Sequence, residues 1–109
     1  MRLEVLHVPD CPSVALLDER IAEALAGERI DVAITHRVVD DAATATAAGM
    51  TGSPTLLIDG DDPFAAAGLV PSVSCRLYPA AGGGVDRAPS VADLRAALLH
   101  RGNERSRVR

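Results

Sequence analysis

The sequence predicts an α/β fold with the element order β-α-β-α-β-β-α. Three observations carry this. Short runs of apolar and β-branched residues occur at Arg2–Val8, Ile30–Val39 and Thr55–Asp59, apolar residues at helical spacing lie between and after them, and Pro, Gly and Asp mark the junctions. At 109 residues the chain is long enough for one core, expected over residues 1–100.

The first strand, Arg2 to Val8, reads RLEVLHV and ends at Pro9-Asp10, a run suited to a central strand buried on both faces. Pro12 fits the first helical position, which leaves Cys11 as the expected N-cap, and Val14, Leu17, Ile21 and Leu25 then form one stripe ending near Gly27. Ile30 to Val39 alternates Ile30, Val32 and Ile34 against Asp31, Ala33 and Thr35, a second strand broken by Asp40-Asp41, and Ala42 to Ala48 is a short helix. Thr55 to Asp59 follows Gly52-Ser53-Pro54 as the third strand. After a long irregular stretch with Pro63, Gly68 and Pro71, Ser74 to Tyr78 is the fourth.

Residues 80–89 contain Gly82-Gly83-Gly84 and read as a flexible connection. Ser90, with Asp93 three positions on, opens the last helix in the manner of a capping box, and Val91, Leu94, Ala97 and Leu98 supply its apolar side. From Arg101 the chain reads RGNERSRVR, so residues 101–109 are expected to be a disordered tail.

Composition removes several function classes. The net charge is -4 and no basic stripe lies within the periodic region, which argues against nucleic acid and anionic lipid as partners. No charged segment leads an apolar stretch at the start, so neither a signal peptide nor a membrane span is expected, and a cytoplasmic, reducing setting follows. The only two cysteines, Cys11 and Cys75, make no secreted disulfide framework and have no His/Cys cluster around them for zinc. No metal and no cofactor is expected. The group Asp59, Asp61 and Asp62 lacks the ligand spacing of a calcium loop and reads as turn chemistry.

Two motifs resemble the thioredoxin/glutaredoxin superfamily over about residues 2–100. Val8-Pro9-Asp10-Cys11-Pro12 stands where that superfamily has its active-site turn, and the run from Gly49 to Gly60, with Gly52-Ser53-Pro54-Thr55 at its centre, is similar to its cis-proline segment. Together with the later Ser74-Cys75-Arg76-Leu77-Tyr78, the pattern is similar to short actinobacterial thioredoxin-like proteins sometimes labelled alkylmercury-lyase-like. The resemblance implies a thioredoxin-like, four-stranded mixed sheet in the order 2-1-3-4 flanked by helices. It also implies Pro54 in cis facing Cys11, and Pro12, Ser53 and Pro54 as substrate-binding residues, with Ser53 offering its backbone N–H and C=O to an extended chain.

Cys11 is the main candidate for chemistry. A sulfur at a helix N-cap meets unpaired N–H groups and the positive end of the helix dipole, which favours the nucleophilic thiolate. Asp10 opposes this, and no Lys, Arg or His is adjacent in sequence to compensate. Position 14, where a second thiol would stand in a Cys-x-x-Cys turn, is Val14, so a self-contained dithiol at this turn is excluded and monothiol exchange remains. Arg is missing six positions after Cys11, where Leu17 stands, and position 8 is Val8, so neither a phosphatase loop nor a peroxiredoxin-type site fits.

Cys75 is the only other thiol. With the fourth strand antiparallel to the third, about 3.3 Å per residue puts it on the order of 10 Å or more from the Cys11 turn, and a buried, inert thiol is the expectation. A shifted register would reverse this. His7 reads as a satisfied core histidine, His36 and His100 as strand-edge and surface residues.

The leading functional expectation is a redox or thiol-transfer protein in which Cys11 forms mixed disulfides with a protein or small-thiol partner, with depressed Cys11 pKa. The alternatives are a non-catalytic module binding a peptide, a thiol ligand or a soft metal such as mercury; cleavage of carbon–mercury bonds, for which Asp10 could be the acid and Cys75 the second thiol; and a structural partner.

Overall fold

β1 (Arg2–His7) is the central strand, and its alternation decides the layers. In the computed structural model, which describes residues 1–107, Leu3 and Val5 face one side and Leu6 the other, all at most 1% exposed. α1 (Ser13–Leu25) packs its Leu17, Ile21 and Ala24 on the first side together with Leu94 and Leu98 of α3 (Val91–Arg107). The second side is closed by Ala45 of α2 (Ala42–Ala48) with Val39 and Met50. β4 (Thr55–Ile58) divides in the same way, Leu56 and Ile58 against Leu57, as the two-residue period of a strand requires. No helix among the described residues is long and apolar enough to cross a membrane.

The helix ends follow local chemistry. The Asp41 carboxylate accepts from the Thr44 N–H at 2.7 Å, starting α2, and this bond holds its carboxyl below the usual carboxylate range. Gly49, in the left-handed region, ends α2. Ser90 Oγ accepts from the Asp93 N–H at 3.1 Å, as the Ser90/Asp93 spacing predicts. α3 runs to Arg107, so the stretch from Arg101 to Arg107 is helical and not the disordered tail its polarity suggests; positions 108 and 109 lie outside the described residues. Arg101 helps by pairing with Asp61 at 2.6 Å.

The sheet differs from the four-stranded, 2-1-3-4 expectation. It has three strands in the order β2-β1-β4, with β2 (Ala33–Val38) parallel and β4 antiparallel to β1. β2 is shorter than the alternating run, is an edge strand, and is exposed along its whole length, with His36 meeting Asp18 of α1 at 2.9 Å. The expected fourth strand does not pair with β4. Instead β5 (Ser72–Cys75) runs parallel to β3 (Thr51–Ser53), the short strand just before Pro54, and β6 (Tyr78–Pro79) pairs with β7 (Val85–Asp86), ordering part of the glycine-rich connection.

The cause is visible in two side chains. Arg76 is only 5% exposed, and its guanidinium reaches Asp62 at 2.7 Å, Thr51 Oγ1 at 3.0 Å and the Phe64 carbonyl at 2.8 Å. Tyr78, 2% exposed, donates its hydroxyl to the Pro54 carbonyl and lies under the Arg76 guanidinium, 4.7 Å from the ring centre. These anchors draw the segment toward the Thr51–Thr55 region, where a buried cation finds its acceptors, rather than along β4.

β4 turns back at once. Asp59 and Gly60 both have positive φ, and Ile58 and Asp61 exchange both backbone bonds at 2.7 and 3.0 Å, a two-residue turn of the primed type. The three aspartates there serve structure: Asp59 caps the Arg2 N–H at 2.8 Å, Asp61 pairs with Arg101, and Asp62 with Arg76.

Candidate functional site around Cys11 and Pro54

β1 delivers the chain to a tight turn. The Cys11 N–H donates to the Val8 carbonyl at 3.3 Å across Pro9 and Asp10, and Asp10 has φ +56°, the pattern of a type II turn with Pro at its first central position. A left-handed non-glycine residue costs about 1 kcal/mol or more, and Asp is among the types that tolerate it. Asp10 is exposed at the tip of this turn.

Cys11 is not the N-cap the spacing predicts. Pro12 occupies that place, with helical φ and ψ and no side-chain cap bond, and α1 starts at Ser13. Pro has no N–H to satisfy and accommodates the helical geometry, so the boundary moves one residue on. Cys11 therefore precedes the helix, half-buried, with its carbonyl accepting from the Val14 N–H at 3.4 Å. Pro12 itself is exposed.

The Cys11 turn does receive a cation, from far along the chain. The Arg87 guanidinium donates to the Pro12 carbonyl at 3.2 Å. Its loop is fixed by Arg20 of α1, which donates to the Ala88 and Pro89 carbonyls at 3.0 and 3.2 Å and pairs with Asp86 at 2.9 Å. That bond, with the Arg87 N–H, holds the Asp86 carboxyl below the usual carboxylate range. Sequence adjacency gave no hint of Arg87, because the contact spans 75 positions.

The second half of the site is the Thr51–Thr55 segment. The Ser53–Pro54 peptide is cis, and both residues are buried. Ser53 Oγ accepts from the Val8 N–H at 3.1 Å, which ties this segment to the start of the Cys11 turn. Thr55 Oγ1 donates to the Gly52 carbonyl at 2.6 Å and accepts from the Thr51 N–H at 3.3 Å. Gly52, at φ +124°, has no room for a side chain: a Cβ there would stand 2.6 Å from the Arg76 Cβ.

Two expectations need correction here. The Ser53 carbonyl is not open to an extended partner chain, because the Arg76 N–H already donates to it at 3.1 Å. Cys75 is not buried and does not lie along β4. It is exposed, and it stands opposite Ser53 in the β3–β5 pairing. Within the Ser74–Tyr78 motif Arg76 and Tyr78 are buried while Ser74, Cys75 and Leu77 are exposed. Both cysteines are free.

One histidine reaches the Cys11 turn through the carbonyl that closes it. His7 Nδ1 bonds the Val8 carbonyl at 2.9 Å and its ring meets that of His36 edge-on at 6.3 Å, while His36 Nε2 pairs with Asp18 at 2.9 Å. Among the described residues no group of three or more His, Cys, Asp or Glu side chains is gathered so as to hold a metal ion. Compared with family models, curated proteins and solved structures, the chain matches none.

Proposed function

We propose that the protein is a thiol-exchange protein with Cys11 as its single nucleophile, forming a mixed disulfide with a small thiol or disulfide. The observation that carries this reading is the built surroundings of Cys11. The turn presents the thiol half-buried beside an exposed face, Arg87 brings a positive charge to the adjoining carbonyl, and Ser53 locks the cis-proline segment against the same turn. A nearby cation favours thiolate over thiol, and the thiolate is the attacking species.

A small partner suits the site better than an extended peptide, since the Ser53 backbone edge is occupied by the chain itself. Two free cysteines and thiol-exchange chemistry call for a reducing compartment such as the cytoplasm. The likeness of the Cys11 turn and the Ser53–Pro54 segment to the thioredoxin/glutaredoxin superfamily supports the same reading.

The test is iodoacetamide labelling of the native protein at neutral pH, resolved for Cys11 and Cys75 by mass spectrometry. Cys11 is expected to label faster than Cys75 and faster than a free model thiol. Equal rates for the two thiols, both at that of the free thiol, would overturn the reading. The alternative, a module that binds a soft metal such as mercury without turnover, is favoured by the two accessible thiols near one end of the sheet. Hg²⁺ affinity no greater than that of a free thiol would remove it.

A further inference from the structure

We propose that β5 serves as a built-in substrate strand, which covers the backbone edge beside Pro54 and presents Cys75 as the resolving thiol for Cys11. The inference rests on the reading of Cys11 as the nucleophile.

Extended partners bind proteins by adding a strand to an open edge, with main-chain bonds giving affinity. In this chain the edge beside the cis-proline is already taken. β5 runs along β3, the Arg76 N–H donates to the Ser53 carbonyl at 3.1 Å, and Cys75 is the residue opposite Ser53. Adjacent strands lie about 4.8 Å apart, so Cys75 sits one strand spacing from Ser53. Ser53 Oγ in turn accepts from the Val8 N–H, and the Val8 carbonyl closes the Cys11 turn. Ser53 thus links the two thiol-bearing segments, by strand pairing to Cys75 and through Val8 to the turn of Cys11.

Their directions agree with this role. Burial of Arg76 and Tyr78 turns Cys75 outward, where it is exposed and unoxidised, while Cys11 is half-buried at the turn. Bringing the sulfurs together requires β5 or the Cys11 turn to fold over Ser53. The pairing of β5 with β3 is short and irregular, and Pro9, Asp10 and Pro12 of the turn are exposed, so the movement falls on these two segments while Arg76 and Tyr78 stay anchored.

The chemistry balances with a low-molecular-weight disulfide, RSSR, as oxidant. The Cys11 thiolate attacks one sulfur, forming Cys11–S–SR and releasing RS⁻. The Cys75 thiolate then attacks the Cys11 sulfur, forming the Cys11–Cys75 disulfide and releasing the second RS⁻. Two protein thiols are oxidised, RSSR is reduced to two thiols, and the protein's two protons go to solvent or to RS⁻.

The experiment uses 5,5′-dithiobis(2-nitrobenzoic acid) as RSSR on the full chain at low protein concentration, with mass spectrometry of the products. The wild type is expected to release two thiolates per chain, retain no adduct, weigh two hydrogens less, and yield a Cys11–Cys75 linked peptide. Mixing isotope-labelled and unlabelled chains should leave that link within one chain. Cys75→Ser is expected to release one thiolate and keep the adduct on Cys11. Wild-type protein that keeps one or two adducts, or that links only between chains, overturns the resolving role even when Cys11 reacts fast in Cys75→Ser. A Cys11 in Cys75→Ser that reacts no faster than a free thiol overturns the nucleophile reading instead, and this proposal with it.

Discussion

Replacing Arg76 by Met should destabilise the protein by about 3 kcal/mol, with the stem's packing largely kept. The magnitude follows from its surroundings. The side chains of Arg76 and Asp62 are 4% and 12% exposed and meet at 2.7 Å, and the guanidinium also serves Thr51 and the Phe64 carbonyl. Removing one partner of a buried pair typically costs about 3–5 kcal/mol because the other charge is left uncompensated. Asp62 retains some contact with water and the Phe64 N–H at 2.8 Å, which places the cost at the low end. Adding Asp62→Asn removes the stranded charge, keeps an acceptor for Phe64, and should recover about 1–2 kcal/mol. Urea unfolding of the wild type, both single variants and the double variant measures this directly. A cost for Arg76→Met below about 1 kcal/mol at unchanged m, or strictly additive single costs, would refute the account of β5's placement.

Three further outcomes are expected. Gly52→Ala should cost about 2–4 kcal/mol, since its Cβ would stand 2.6 Å from that of Arg76 at φ +124°; a loss under about 1 kcal/mol in the same urea assay would contradict the close approach. Burial pushes the Tyr78 phenol well above its ordinary value of 10.0, so the folded chain keeps this proton where the unfolded chain loses it. Its contribution is full below pH about 10 and declines as pH rises beyond that, and Tyr78→Phe should flatten this alkaline limb while costing about 1 kcal/mol at neutral pH. An equally steep limb in Tyr78→Phe would reject the assignment. Arg87→Gln should slow Cys11 alkylation about two- to fivefold at low salt, with the difference shrinking at high salt; identical rates would show that this cation does not act on the thiol.

Local pattern carried much of the architecture. The runs at Leu3–Leu6, Leu17–Ile21 and Leu56–Ile58 mark core faces by period alone, and Asp41, Gly49 and Ser90 mark helix ends, because these depend on neighbours within a few residues. The Cys11 turn was legible for the same reason, since Pro9, Asp10 and Pro12 constrain a short stretch of backbone. The position of α1's first residue was not, because Pro12 suits either side of the boundary.

What lay beyond reach depends on long-range partners. Polarity assigns the tail from Arg101 to solvent and gives Arg76 no partner, yet Asp62 and Asp61 draw the two cations in, one into the interior and the other onto the β4 turn. Once Arg76 and Tyr78 are anchored beside Thr51 and Pro54, β5 pairs with β3, and Cys75 stands opposite Ser53 rather than along β4. Arg87 reaches the Cys11 turn only through the Arg20 anchor on its loop. The sequence by itself determined β1, β4, the three helices, their core faces and the turn that carries Cys11. Only the tertiary structure decided which strand Cys75 rides on and which cation binds the Pro12 carbonyl next to Cys11, because a buried or anchored cation takes its place from acceptors far along the chain.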